Sequence, residues 1–141
     1  MSNASYYVKS SKNDSDFDVD INNDSFAYFC RHNGSNQKLI PNNIEENVYI
    51  FSVEYNNSLV MTAPSNSSEE KLKLTHWDRK VDDKWQQFKL IDNYDGSFKI
   101  QNVGSNFYLE VKDTRNCVIH LNKVRNDRQQ LFYFEKAQDK S

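Results

Sequence analysis

A glutamine followed two positions later by a large apolar residue recurs three times along the chain. The copies, 49 and 44 residues apart, are Gln37-Lys38-Leu39, Gln86-Gln87-Phe88 and Gln130-Leu131-Phe132. Each copy closes a stretch in which short apolar or aromatic runs alternate with clusters of Asn, Asp and Ser. Self-similarity at a period of roughly 20 to 50 residues is the sequence sign of a repeat architecture. The chain is therefore expected to consist of three copies of one strand-rich unit.

The same order of short strands is predicted in each unit. The predicted strands are 6–8, 17–19 and 26–30 in the first unit, 48–51, 57–60, 71–74 and 88–91 in the second, and 98–100, 108–111, 118–121 and 131–134 in the third. Many short strands at regular spacing favour a barrel or a sandwich. A propeller needs about four blades, whereas three units closed into a barrel leave no unpaired strand edge. We therefore predict an all-β fold of the β-trefoil type: one domain, 1–141, with pseudo-symmetric four-strand repeats at approximately 5–46, 47–92 and 93–136.

Composition supports an ordered chain with unusual turns. The sequence contains 9 Phe, 8 Tyr and 2 Trp, which disordered segments rarely carry. Only 3 Gly and 2 Pro are present, so Asn, Asp and Ser must form most of the turns.

Charge and apolar patterning argue against several classes of partner. The net charge is −2, which predicts no nucleic-acid binding. The longest apolar runs have the length of strands, so no membrane span is expected. The polar start predicts a chain without a conventional signal peptide, located in the cytoplasm or released by another route. Cys30 and Cys117 are expected to be free thiols.

No catalytic or metal-binding motif stands out. The sequence has no nucleophile elbow, no His-Glu-x-x-His and no phosphate-binding glycine loop, so we predict neither an enzyme nor a cofactor. His32, His76 and His120 recur every 44 residues but lack the local spacing of a zinc site, so no metal is expected.

The ordered pattern resembles the ricin B-type lectin family, a β-trefoil family whose repeats end in Gln-x-Trp. The resemblance covers residues 5–136 and is clearest in the third unit and in Phe26-Ala27-Tyr28-Phe29-Cys30 followed by Asn36-Gln37-Lys38-Leu39. Leu39, Phe88 and Phe132 replace the Trp, and each is large and apolar enough to fill the same place in a core. The resemblance implies a non-catalytic sugar-binding protein with one shallow site per repeat.

In the first repeat the resemblance implies a sugar site around Asp18. A carboxylate accepts strong hydrogen bonds from sugar hydroxyls, and an aromatic face stacks on the pyranose. Phe29, with Tyr28 as the alternative, is the expected stacking ring. Asn36 is the expected amide, and Gln37 is expected to support the site. Asp18 could instead cap a turn, since it lies in an Asp-rich stretch.

In the third repeat the corresponding residues are Glu110 as the acceptor, His120 as the stacking ring, and Gln129 with Gln130 as the amides. The second repeat lacks a carboxylate: Met61 and Thr62 occupy that region, and residues 76–78 are expected in a loop.

The expected partners are glycans of the galactose or N-acetylgalactosamine type. Because shallow sites bind weakly, several sites or a homodimer would supply useful affinity. The alternative is a protein-binding trefoil, such as a protease inhibitor or cytoskeletal binder, acting through residues 64–70.

Overall fold

The computed structural model describes residues 4–10, 17–21, 27–31, 38–54, 56–63, 75–113 and 118–137. These residues form strands joined by turns, with two one-turn 3-10 helices, Lys84–Gln86 and Arg128–Gln130. The strands are Tyr6–Ser10 (β1), Phe17–Ile21 (β2), Ala27–Arg31 (β3), Lys38–Glu45 (β4), Val48–Val53 (β5), Asn56–Thr62 (β6), Thr75–Asp78 (β7), Phe88–Asp92 (β8), Phe98–Asn102 (β9), Tyr108–Asp113 (β10), Val118–Asn122 (β11) and Phe132–Lys136 (β12). In this part of the chain no helix is both long and apolar enough to cross a bilayer.

Six of the strands pair into a closed barrel. In order around the barrel, β1 pairs with β12, β12 with β9, β9 with β8, β8 with β5, β5 with β4, and β4 with β1. All of these pairs are antiparallel. Closing the sheet gives every barrel strand two neighbours, which removes the exposed edges that promote aggregation.

The other six strands form three hairpins, β2–β3, β6–β7 and β10–β11. Each hairpin is joined to the barrel at an equivalent place: Lys9 pairs with Asp18, Ser52 with Val60, and Gln101 with Tyr108. Six barrel strands and three hairpins in threefold repetition make a β-trefoil, so the predicted fold is confirmed.

The core is built from corresponding positions of the three repeats. Leu39, Phe88 and Phe132 have exposed fractions of at most 1% and belong to one apolar cluster. Val8, Phe51 and Ile100, from the equivalent strands β1, β5 and β9, belong to the same cluster. The residue that follows each repeated glutamine by two positions therefore fills the core, as predicted for the place taken by Trp in the family's motif.

Two parts of the strand prediction were wrong. Strand β4 was not expected, because Pro41, Asn42 and Asn43 are poor strand formers. Pro41 is tolerated because β4 pairs with β1 only near Lys38 and Leu39, and Asn42 donates to the Ser52 hydroxyl across the β4–β5 pair (2.9 Å). Residues 76–78, expected in a loop, lie in β7 opposite 59–61 of β6. The predicted strand 71–74 lies outside the described residues.

The prediction about turns is confirmed. Four described residues with a side chain adopt the left-handed conformation: Asn47, Asp82 and Asn106, with φ of 62°, 56° and 66°, and Tyr94, with φ of 61°. Asn and Asp tolerate this conformation better than other residues with a side chain. In this chain, Asn and Asp therefore occupy left-handed turn positions at which most proteins have glycine.

Candidate functional site

The third repeat encloses a buried polar cluster between its hairpin and the end of the second 3-10 helix. Glu110 of β10 lies directly opposite His120 of β11 in the antiparallel register. Gln130 ends the 3-10 helix and points to the same place. The exposed fractions of Glu110, His120 and Gln130 are 2%, 3% and 0%. The fold therefore brings His120 and Gln130, which follow Glu110 by 10 and 20 residues in sequence, into contact with it.

Both carboxylate oxygens of Glu110 accept two hydrogen bonds each. One oxygen, Oε2, accepts from His120 Nε2 at 2.5 Å and from Asn122 Nδ2 at 3.0 Å. The other, Oε1, accepts from Gln130 Nε2 at 3.2 Å and from Arg125 Nη1 at 3.3 Å. A buried charge is tolerated only when it is paired and hydrogen-bonded. Four donors meet that requirement for Glu110.

Gln130 also fixes the loop that follows β11. Its Oε1 accepts from the backbone N–H of Arg125 at 2.7 Å, and its Nε2 donates to the Lys123 carbonyl at 2.7 Å. The amide thus binds one backbone donor and one backbone acceptor of the same loop. Residues 123–128, which we call the third-repeat loop, are therefore held against the hairpin.

The second repeat contains the same brace. Gln86 accepts from the Lys80 N–H at 2.9 Å and donates to the Asp78 carbonyl at 2.8 Å. Gln86 Nε2 lies 3.3 Å from the Thr62 hydroxyl, so Thr62 takes the place that Glu110 has in the third repeat. The carboxylate is the part of the arrangement that the second repeat lacks.

Arg125 lies at the mouth of the cluster. Its side chain is 49% exposed, with Nη1 on Glu110 and Nη2 on Asp127 Oδ2 at 2.9 Å. Asp127 is itself fixed, since its Oδ1 accepts from the Gln129 N–H at 3.0 Å. The guanidinium is therefore held by two carboxylates while half of the side chain faces solvent.

The pKa of Glu110 is lowered from its ordinary value of 4.5. Burial raises the pKa, but the hydrogen bonds from Asn122 and His120, the charge of the His120 ring and the hydrogen bond from Gln130 lower it by more. Glu110 is therefore ionised at neutral pH. His120 Nδ1 is buried and has no hydrogen-bond partner among the described residues, so only Nε2 ties the ring to the cluster.

This pKa shift predicts that stability depends on pH. Because folding lowers the pKa of Glu110, its ionised form contributes stability at pH values above 4.5, and this contribution is lost as the pH falls towards the lowered value. Urea unfolding at a series of pH values should therefore show a steeper acid loss for the wild type than for Glu110→Gln, which cannot titrate. Parallel curves for the two proteins would contradict the assignment. Asp95, whose pKa the Ser97 hydrogen bonds also lower, is common to both proteins and cancels.

The structure places the predicted residues of the two sites differently. Glu110, His120 and Gln130 are brought together, and half-buried Gln129 adjoins them. With four internal donors on the carboxylate and a ring that is 3% exposed, a sugar would reach Glu110 or stack on His120 only after a local rearrangement. Direct sugar contact by these four residues stays a prediction.

In the first repeat, the backbone places Asp18 opposite Cys30 and Phe29 opposite Val19 on the β2–β3 hairpin. Tyr28 pairs with Val118 of β11, which links the first and third hairpins. The side chains of Asp18, Tyr28 and Phe29 lie outside the described part of the structure, as do Asn36 and Gln37 entirely. The first-repeat site therefore also stays a prediction.

Asn122 and Arg125 were not predicted as members of the site. Asn122 follows His120 by two positions on one strand, so the alternation of strand side chains could have placed both on the same face. Nothing in the sequence marks Arg125, because its approach to Glu110 depends on the conformation of the third-repeat loop. Among the described residues, no group of three or more His, Cys, Asp or Glu side chains could hold a metal ion.

The model of the family described as "Ricin-type beta-trefoil lectin domain-like" matches residues 35–122. A search of curated proteins by sequence finds no significant match.

Solved structures share the fold at low sequence identity. The designed threefold-symmetric protein ThreeFoil superposes with a TM-score of 0.81 at 15% identity, covering 94% of this chain and 99% of its own. The Polyporus squamosus lectin, bound to the epitope Neu5Aca2-6Galb1-4GlcNAc, gives 0.83 at 12% identity, covering 96% of this chain and 50% of its own. A mosquitocidal holotoxin gives 0.87 at 20% identity, covering 98% of this chain and 18% of its own. The chain thus spans half of that lectin and under a fifth of that toxin.

Proposed function

This chain belongs to the ricin-type beta-trefoil lectin domain-like family, and from that membership we propose that it is a non-catalytic carbohydrate-binding module with shallow sugar sites in repeats 1 and 3. The observation that carries the proposal is the amide–carboxylate contact in the third repeat. Gln130 bonds both the Glu110 carboxylate and the backbone of the third-repeat loop. The surface of the third-repeat loop above Glu110, which we call the third-repeat cup, is therefore held in place before a ligand arrives, and we propose it as the sugar site.

A rigid cup suits a sugar because ordering costs are what limit weak binding. Each loop or side chain that must be immobilised on binding reduces the affinity that the contacts provide. The loop in the third repeat is already held through Arg125, Lys123 and the Asp127 cap. We assign Gln129, at the edge of this cup, and the residues around Asp18 in the first repeat to sugar contact.

Affinity for a single sugar is expected to be low, because a shallow, solvated site desolvates little apolar surface. Two sites in one chain, or a homodimer, would raise the avidity for a surface that carries many copies of a glycan. Galactose and N-acetylgalactosamine are the first sugars to test. Residues 64–70, on which the protein-binding alternative depends, lie outside the described residues, so no structural observation favours that alternative.

Asp18→Ala tests the proposal most directly. Loss of a charged acceptor is expected to weaken glycan binding by roughly tenfold or more, since hydrogen bonds to a charged group are worth about 1.5–3 kcal/mol. Folding should be unaffected, as judged by circular dichroism and urea unfolding. The measurement is binding to a broad glycan array, followed by titration with the strongest ligand.

Asp92→Ala is the control, since it removes the same residue type from an exposed position of a strand, β8, that carries none of the proposed sugar contacts. Equal affinities for the two variants would remove Asp18 from the site. An array without signal at high protein concentration, over all sugar classes, would refute carbohydrate binding itself.

A further inference from the structure

The exposed mouth of the third-repeat cup carries an arginine, whereas its buried base carries the Glu110 carboxylate. At the base, both oxygens of Glu110 are already occupied by four internal donors. At the mouth, the half-exposed Arg125 lies over one of those oxygens. A guanidinium is donor-only, with five N–H groups, and the bonds to Glu110 and Asp127 require two of them. What an incoming ligand meets first is therefore the guanidinium of Arg125, next to the partly exposed carboxylate of Asp127.

The surroundings of Arg125 are basic, although the whole chain has a net charge of −2. The third-repeat loop, Lys-Val-Arg-Asn-Asp-Arg, has three basic residues and one acidic residue, a net charge of +2. Lys99 of β9 adds a further positive charge, because its Nζ contacts Asn126 Oδ1 at 3.1 Å. Glu110 beneath the loop contributes one negative charge, so the loop, Lys99 and Glu110 together have a net charge of +2.

The second repeat supplies an internal comparison. Its equivalent loop, residues 78–84, is held by Gln86 in the same way but has three basic and three acidic residues, a net charge of zero. Lys80 takes the place of Arg125, since its N–H donates to Gln86 as that of Arg125 donates to Gln130. The positive charge is thus a property of the third repeat and not of the shared scaffold.

We propose that the third repeat binds the anionic group of an acidic saccharide, a carboxylate or a sulfate ester, through Arg125. This inference rests on the proposed carbohydrate-binding function and names the ligand class of one of its sites. Charge-assisted hydrogen bonds are about twice as strong as neutral ones, and the planar guanidinium matches two oxygens of a carboxylate or sulfate. Two carboxylates and the Gln130 brace hold Arg125 in place, so little side-chain freedom is lost on binding.

The test compares matched pairs of charged and neutral saccharides on the full-length chain. Methyl glucuronide is paired with methyl glucoside, and galactose 6-sulfate with galactose, so that the carboxylate and sulfate sources are distinguished. Calorimetric titration is expected to give at least one charged member roughly tenfold tighter binding than its neutral partner, an advantage that declines as salt is raised. Arg125→Gln should bring the charged-to-neutral ratio close to one, whereas Lys80→Gln should leave it unchanged.

Arg125→Lys keeps the positive charge but not the planar guanidinium, so it should retain part of the preference for the charged saccharide. It also serves as the test variant if Arg125→Gln does not fold. Equal affinity for charged and neutral sugars in the wild type would overturn this inference and leave the proposed function standing. Equal loss in Arg125→Gln and Lys80→Gln, or competition by single-stranded DNA as strong as that by the charged sugar, would also overturn it. Failure of every saccharide to bind would remove both proposals.

Discussion

Glu110→Ala is expected to lower the free energy of unfolding by about 3–5 kcal/mol, because several buried donors lose their shared acceptor and each buried polar group left without a partner costs about 1–3 kcal/mol. The alanine would leave His120, Asn122 and Gln130, each 8% exposed or less, without their common acceptor. The loss should appear in urea unfolding at neutral pH as a lower midpoint with an unchanged slope.

The matched control for Glu110→Ala is Thr62→Ala, at the corresponding position of the second repeat. Thr62 lies 3.3 Å from Gln86 Nε2 and donates to the Val60 carbonyl at 2.9 Å, so its loss removes ordinary neutral hydrogen bonds worth about 1 kcal/mol each. If the two variants lose the same amount of stability, the carboxylate does not organise the third repeat as described.

Phe132→Ala is expected to cost about 3–5 kcal/mol, the usual range for deleting a fully buried phenylalanine. Phe132 has an exposed fraction of 0% and lies in the central apolar cluster. Its neighbour Tyr133 lies on the same strand and is 40% exposed, so Tyr133→Ala should cost much less. Equilibrium unfolding in urea measures both.

Phe132→Leu is a second control, since a similar-sized apolar residue occurs at the equivalent Leu39. It should cost less than about 1.5 kcal/mol. A Phe132→Ala variant as stable as Tyr133→Ala would show that the place of the motif's Trp is not a core position in this chain.

The barrel could be predicted because its determinants are local and repeated. Leu39, Phe88 and Phe132 each follow a glutamine by two positions, and burial of all three follows from threefold closure. Strand β4 escaped prediction because its polar residues find partners only after β5 is in place, as Asn42 does with Ser52. The two 3-10 helices were also missed. Asp83 and Asp127 each precede a repeated glutamine by three positions and cap the helix in the same way, so a signal was present in both repeats.

The sequence could predict which residues belong to the site, but not how their hydrogen bonds are arranged. Alternation along β10 and β11 and the position of Gln130 identify the cluster, and these features repeat in the sequence. How many donors reach Glu110, and whether a loop arginine covers it, depends on a loop conformation that no local pattern encodes. A residue type can therefore suggest an acceptor for sugar hydroxyls while the fold uses the same acceptor internally.

Gln86 and Gln130 hold their loops entirely through main-chain atoms, the Asp78 carbonyl and Lys80 N–H in one repeat and the Lys123 carbonyl and Arg125 N–H in the other. These hydrogen bonds do not depend on which side chains the loop residues carry. Loop sequences could therefore change, or be exchanged between repeats, without loss of the hydrogen bonds to these two glutamines. The residues that would contact a ligand and the glutamines that attach the loops are therefore different, and a trefoil of this kind could acquire a new ligand in one repeat without a change in the other two.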